Sequence, residues 1–562
     1  MAALSALPVM PSLSPQPSPK AENNGREFTA IVGSTALIGD DLTPLHDATI
    51  LLHKNRIETI GPQAKVEIPT SAYRVNARGM FTIPGLIDSH VHFFQSGGLY
   101  TRPDAIDLRA VRPYTDELQW IKENLNDTFA RYLRAGITSV VDVGGPFWNY
   151  DVRAQAARTL LAPRVMAAGP LISSVEREIL DPYNDPPIVK IDTVEAARAL
   201  IYREIAAHTD YVKFWWVLSP DRPAAAFQPI AAAAIEYAHA NGARVIVHAT
   251  ELETARLAVE SGTDILAHSV FDTNVDEQFL DLVKSRNVIY CPTLIVVGNY
   301  GYTFHQKPNL SSVDLRVANP DVVATLFQMQ DVQNALPLKT LDAIRARREP
   351  EPPHAAMRNL KRVHEAGIRI AAGTDAGNIG TQHASSFYDE ALTMVASGLS
   401  SREVLLTATR GGAAMMGRER DLGTLATGKL ADLVVLKENP LENIRAIASV
   451  AHVIKDGHVL NTNAIVRESP AQIVQRRNNA YNFHDVAVLA EAYAGAGMAQ
   501  TYAKLFQQYP QLHVETTSRE TNGNVVVEHQ RVSGYDDGKT REITTTYEVT
   551  NGLISRETSP FA

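Results

Sequence analysis

The sequence predicts an α/β protein: a (β/α)8 barrel of the TIM type, flanked by a small β-sandwich drawn from both ends of the central region and followed by a C-terminal α+β module. Three observations predict it. Between about residues 83 and 419, eight short apolar runs alternate with longer amphipathic stretches, the rhythm of repeated βα units and a parallel sheet. Strand-like segments punctuated by Gly and Pro precede that region and return after it. The last hundred residues change character again, to a helical stretch and alternating runs. A chain of 562 residues with 45% hydrophobic and 20% charged residues is long and apolar enough to bury cores of this size.

Taken in order, residues 1–25 (MAALSALPVMPSLSPQPSPKAENNG) are rich in Ala, Ser and Pro. They lack a basic n-region and a continuous apolar run, so they read as a disordered tail rather than a secretory leader. The expected location is therefore cytoplasmic, with export through an atypical leader as the alternative. Residues 26–82 hold the strand-like FTAIVGSTALI, ATILLHKNRIETIG and YRVNARGMFTIPG. They are expected to join GTLATGKLADLVVLKENP and VAHVIKDGHVL, within 420–466, in one composite β-sandwich. The barrel region, 83–419, carries TIPGLIDSHVH, ITSVVDVGG, RVMAAGP, DYVKFWW, ARVIVHAT, DILAHSV, VIYCPTL and RIAAGTDAG, separated by Ala-rich helical stretches. Residues 299–353, between the seventh and eighth runs, are too long for a bare loop and are expected to form a lid or wall. In 467–562, a helical stretch precedes three alternating runs, LHVETTSRE, NVVVEHQRVSGY and TREITTTYEVTNGLISRE.

Charge narrows the partners. The net charge is −9 and no Lys/Arg run stands out, so the positive field of a nucleic-acid binder is missing and a small-molecule substrate is expected. No apolar stretch approaches the roughly 20 residues that span a bilayer, which argues against a membrane partner. Cys291 is the single cysteine, so neither an intrachain disulfide nor a thiolate cluster can form, and any metal must be held by nitrogen and oxygen.

The chemistry sits at strand ends. His90 and His92 in GLIDSHVHF share one face of a period-two strand, where two imidazoles can hold one ion. With 17 histidines in the chain, one His-x-His pair is expected ~0.5 times by chance, so context must carry it. That context is His248 closing ARVIVHA, His268 closing DILAHS and Asp375 closing RIAAGTD, since carboxyl ends of parallel strands converge on one mouth. Burying five such groups costs desolvation unless they are paired or metal-bound. Lys213 in DYVKFWW is a lysine inside a core strand. It either pairs with a carboxylate or, neutral and desolvated, captures carbon dioxide as a carbamate able to bridge two ions.

These motifs together, with GITSVVDVGG and GTLATGKLADLVVL, resemble the amidohydrolase superfamily, close to its imidazolonepropionase-like and Xaa-Pro dipeptidase-like branch, over about residues 28–460. The resemblance implies a first metal on His90, His92 and Asp375, a second on His248 and His268, and carbamylated Lys213 between them. The ions are expected to be divalent, with zinc foremost. It implies a hydrolase cleaving a C–N bond of a dipeptide or N-acyl amino acid by a metal-activated water, with Asp375 as general base. Two alternatives stand beside it. In the first, Glu251 of HATE handles protons in a mononuclear deaminase or cyclic-amide hydrolase, against its plain reading as a helix-start glutamate. In the second, the barrel is a catalytically silent scaffold. His383 in GTQHASSF either reaches the substrate or braces its loop. The C-terminal segment resembles a shortened nuclear-transport-factor-2-like (NTF2-like, SnoaL-like) fold, which implies an oligomerisation or packing role, and the protein is expected to be a homo-oligomer.

Overall fold

A computed structural model describes residues 21–219, 222–332, 336–346, 350, 352–495 and 497–559. Most of the expected N-terminal tail lies outside the described residues. Its last residues are docked: Glu22 N–H donates to Val459 O at 2.9 Å, and buried Asn23 donates from Nδ2 to Gly457 O at 2.9 Å.

Seven parallel strands carry the site: β1 (Leu86–Val91), β2 (Ile137–Asp142), β3 (Arg164–Ala167), β4 (Tyr211–Trp215), β5 (Arg244–His248), β6 (Ile265–Ala267) and β7 (Ile289–Cys291). β1 pairs with β2 and β2 with β3; β4 to β7 pair in sequence. Parallel bridges join Ala168 to Tyr211, Tyr290 to Ile370 and Ala376 to Val91, so the pairing runs through residues 369–376 back to its start. Helices such as Val194–Ala206 and Ala224–Ala240 follow strands β3 and β4, as the alternating rhythm requires. Beyond β3 the chain resumes as Leu171–Ser173, which pairs with β4 and with a rim strand, Ile188–Lys190, that the eight-run reading does not contain. Gly373 lies where the eighth segment passes close to β1 and β7. A Cβ there would lie 2.7 Å from Cys291 Sγ and 2.8 Å from both Cβ and N of His90.

The two flanks share one eight-stranded sheet. Strand Phe81–Pro84 pairs parallel with Phe28–Ile38 on one side and antiparallel with Leu433–Leu436 on the other. Buried Ile31, Ile50 and Val75 from the first flank and Leu433, Val435 and Ile454 from the second form one cluster. The expected sandwich is thus hydrogen-bonded as a single sheet.

The C-terminal residues form helices Pro470–Asn482, Val486–Glu491 and Met498–Gln508, then an antiparallel meander His513–Asn522, Val525–Ser533, Arg541–Thr550 and Leu553–Thr558. The meander has four strands where three were expected, because Asn551 (φ 53°) and Gly552 (φ 80°) turn the last run back on itself. This unit packs on helices Ser312–Val317 and Pro320–Phe327 of the predicted wall. Arg316 pairs with Glu491 at 2.8 Å, and Asn479 donates to Pro320 O at 2.7 Å. One apolar cluster runs from Leu99 and Tyr300 through Leu315 and Leu326 to Tyr481 and Phe506. Among the described residues, no helix is long and apolar enough to cross a membrane.

Candidate metal centre

His90 and His92 lie at the end of β1, Lys213 in β4, and His248 at the end of β5. His268 and Asp375 follow β6 and the eighth segment directly. His92, Lys213, His248, His268 and Asp375 line one cavity of ≈ 270 Å³, with His90 fully buried beside them. Asp375 is the hub: Oδ1 is 3.3 Å from His90 Nε2 and 3.2 Å from His92 Nε2, and Oδ2 is 3.9 Å from His268 Nδ1. The His90 and His268 rings are 4.9 Å apart and those of His248 and His268 4.2 Å. Ligand atoms of His90, His268 and Asp375 all fall within 4.8 Å of one another, a triplet that cuts across the two ligand groups implied by the resemblance.

The donor chemistry fits a cation. His92 Nδ1–H donates to Gly144 O at 2.7 Å, which aims Nε2 at the Asp375 carboxylate. Both nitrogens of His90 and Nζ of Lys213 are buried without a hydrogen-bond partner. Burial pushes the His90 imidazole down to about 3, with Lys213 adding to the effect, and pushes His248 and His268 well below their usual range. These rings are therefore neutral at pH 7, the form in which an imidazole can bind a metal. Burial alone would raise the Asp375 carboxyl, but His90 and His92 outweigh it and hold it well below the ordinary carboxylate range. Burial lowers the Lys213 ammonium to about 8.

A second layer aims these groups, as metal sites require. Asp88 accepts from the backbone N–H of His90 and Thr374 and from the Thr374 hydroxyl, tying β1 to the eighth segment. Asp142 accepts from the N–H of Phe93 and Gly144. Thr293 Oγ1 is 2.7 Å from His268 Nδ1, and Asn378 Nδ2 donates to Asp375 Oδ1 at 2.8 Å. His268, Thr293 and Asp375 all hold positive φ (75°, 43° and 61°), strain of the kind stored where side chains must be aimed.

His383 is engaged at both nitrogens, by Tyr132 Oη at 2.9 Å and Gln95 O at 2.8 Å, and stacks on Phe93; this is the bracing arrangement. The Glu251 carboxylate accepts from the hydroxyls of Thr250 and Thr254 at the start of helix Leu252–Glu260, the helix-start arrangement. Sequence reasoning missed Arg102, Tyr300 and Asn378 on the cavity wall. The available signals were the arginine of TRPD, ten residues after His92, and the asparagine three residues after Asp375.

Comparison with known proteins agrees with this architecture. Ochratoxinase of Aspergillus niger is 24% identical over 492 residues, 80% of this chain and 90% of that protein. Its crystal structure superposes with a TM-score of 0.57 at 20% identity, covering 79% of this chain and 96% of that one. A Xaa-Pro dipeptidase with methionine bound in its active site gives 0.57 at 21% identity, covering 77% and 100%. Phenylurea hydrolase B gives 0.59 at 17%, covering 79% and 100%. At these identities the superpositions speak for the fold. The family model for amidohydrolases matches residues 81–460, more than half of the chain, and the chain belongs to the amidohydrolase family.

Proposed function

We propose that the protein is a metal-dependent hydrolase that cleaves an amide-type C–N bond of a small molecule such as a dipeptide or N-acyl amino acid. The observation that carries this reading is the convergence of His90, His92, Lys213, His248, His268 and Asp375 on one cavity with buried nitrogens that no protein group satisfies. The relatives named ochratoxinase and Xaa-Pro dipeptidase support amide chemistry. We read the closed cycle of parallel segments as a (β/α)8 barrel spanning 83–419, with the site at the carboxyl ends of its strands. We read 26–82 with 420–466 as the composite β-domain, and 467–562 as a shortened NTF2-like module.

His90, His92 and Asp375 would hold one divalent ion, zinc foremost, and His248 with His268 a second. The Lys213 amine, free base at a cost lowered by burial, would add carbon dioxide as a carbamate with loss of one proton and join both. Bound divalent ions supply Lewis acidity toward a water and toward the scissile carbonyl. The chain does the rest. Asn378 occupies Asp375 Oδ1 and leaves Oδ2 to take a proton from the attacking water and return it to the leaving nitrogen. Apolar walls at Leu171, Phe271 and Leu294 keep bulk water from the reacting amide. The Glu251 reading has less support, because that carboxylate is spent on two threonine hydroxyls. A silent scaffold has no physical need for unpaired buried imidazoles.

Elemental analysis of the purified protein, beside hydrolysis of a panel of dipeptides and N-acyl amino acids before and after chelation, tests the proposal. Two metals per chain and activity abolished by chelation are expected. One metal or none, with activity indifferent to chelation, would overturn it.

A further inference from the structure

Arg102 is the cationic side chain that the hydrolytic machinery does not use and the cavity does display. It lies in the loop after β1, on the cavity wall with Tyr300 and Asn378. Its guanidinium is pre-aimed: Nε and Nη2 donate to the two oxygens of Asp104 at 2.7 Å each, and Nη1 donates to Asn378 Oδ1 at 2.7 Å. Of the five N–H groups of a guanidinium, those three are used and two remain. Asp104 does not cancel the charge, because a second guanidinium, Arg177, sits 3.7 Å from the same carboxylate. Arg177 in turn lies over the ring of Trp215, 5.1 Å from its centroid, and Trp215 lines the cavity beside His248. Two guanidinia and one carboxylate leave one net positive charge along this wall. Burial of Asp104 would raise its carboxyl, yet Arg102 and Arg177 together hold it ionised.

The position of that charge relative to the reacting bond is also fixed. Asn378 takes the Arg102 and Tyr300 hydrogen bonds on its carbonyl oxygen and passes its amide N–H to Asp375. Arg102 is thus one amide side chain away from the group that protonates the leaving nitrogen. In an N-acyl amino acid, the α-carboxylate is one carbon away from that same nitrogen. The cavity is also lined by the apolar Leu171, Ile188, Phe271 and Leu294.

Resting on the hydrolase reading, we propose that Arg102 is the specificity-determining residue, binding the α-carboxylate on the amine side of the scissile amide. The substrate class is then N-acyl amino acids with a free carboxylate and an apolar acyl group. The bidentate fork gives Arg an advantage that lysine cannot reproduce.

The test pairs N-benzoylphenylalanine with its carboxamide, in binding by calorimetry and in kcat/KM, on metal-loaded wild type, Arg102→Gln and Arg102→Lys. Wild type is expected to bind the acid about 100-fold more tightly than the amide, a difference that appears in KM. Arg102→Gln should abolish the preference by weakening the acid alone, with the amide unchanged within about threefold; Arg102→Lys should recover only part. Equal treatment of acid and amide by wild type would overturn the proposal whether or not the variants fold. Equal weakening of both ligands in Arg102→Gln would overturn it too. Tight, Arg102-dependent binding without cleavage would uphold the carboxylate site and remove the hydrolase reading instead.

Discussion

Two clusters of buried polar side chains, one at the cavity and one in the C-terminal unit, are built from similar materials and satisfied in opposite ways. In the C-terminal unit, Arg477 donates to the hydroxyls of Tyr493 and Tyr502 at 2.9 and 2.6 Å and to Glu557 at 3.3 Å. Asn478, Arg519 and Gln530 converge on Glu528. At the cavity, the buried nitrogens of His90 and Nζ of Lys213 have no hydrogen-bond partner, and the His92 imidazole and the Asp375 carboxylate face each other at 3.2 Å. A closed polar network rigidifies a core, whereas an open one of aimed lone pairs is a socket. The difference separates a structural interior from a binding one without reference to any relative.

The largest effect that can break this contrast is at Asp375. Asp375→Asn keeps the volume and removes both the charge that faces two imidazoles and the base, so kcat should fall at least ~1,000-fold while metal content drops. Steady-state kinetics with elemental analysis checks it; a variant retaining a tenth of wild-type activity would show that the hub is not the reacting group. Arg477→Met attacks the other cluster. It leaves Glu557 without its cation among tyrosines and should cost about 3 kcal/mol of stability in denaturant unfolding. kcat per folded molecule should stay within about twofold. A large kcat loss with intact stability would mean that the C-terminal unit takes part in the chemistry.

Lys213 sharpens the contrast by pH. Carbon dioxide adds to the free amine, and burial has lowered this ammonium to about 8. At fixed dissolved carbon dioxide, reactivation of decarboxylated, metal-free protein should rise about tenfold from pH 7 to 9 and level off above pH 9. An ordinary lysine, half-neutral only near pH 10.4, would keep gaining tenfold per unit through that range. The readout is the rate of recovered activity after adding bicarbonate and zinc.

The strands and the residues that meet at the cavity were legible in the sequence, because strand ends of a parallel sheet are marked by apolar runs that stop at a polar residue. His248, His268 and Asp375 each close such a run. What stayed hidden lay in loops, where no period constrains a side chain. Arg102 and Tyr300 reach the cavity only through the folding of 93–113 and the wall helices, and Asn378 by the turn after Asp375. The rim strand Ile188–Lys190 is three residues long and leaves no alternation to read. Asn551 and Gly552 did carry a turn signal, but the run around them is strongly β-forming and reads as one strand.

Glu204 supplies the subtlest check, because it is an orphan outside the cavity. Both of its oxygens are buried without a partner, beside Gly169 and the Tyr150 hydroxyl, and burial pushes its carboxyl well above the usual 4.5. A lone carboxyl answers desolvation by keeping its proton. His90 has no such escape, since a neutral imidazole still presents an N–H and a lone pair. The sign follows from linkage: with the folded carboxyl raised, its contribution to stability is complete below about pH 4.5 and is lost as pH climbs and the unfolded chain ionises. Glu204→Gln removes that titration. Between pH 5 and 6, the stability of wild type relative to the variant should therefore fall by about 1 kcal/mol in parallel denaturant titrations. A flat difference would mean that Glu204 is charged in the folded protein and has found a cation, and an unpartnered buried group outside the ring would then mark a second socket, as it does within it.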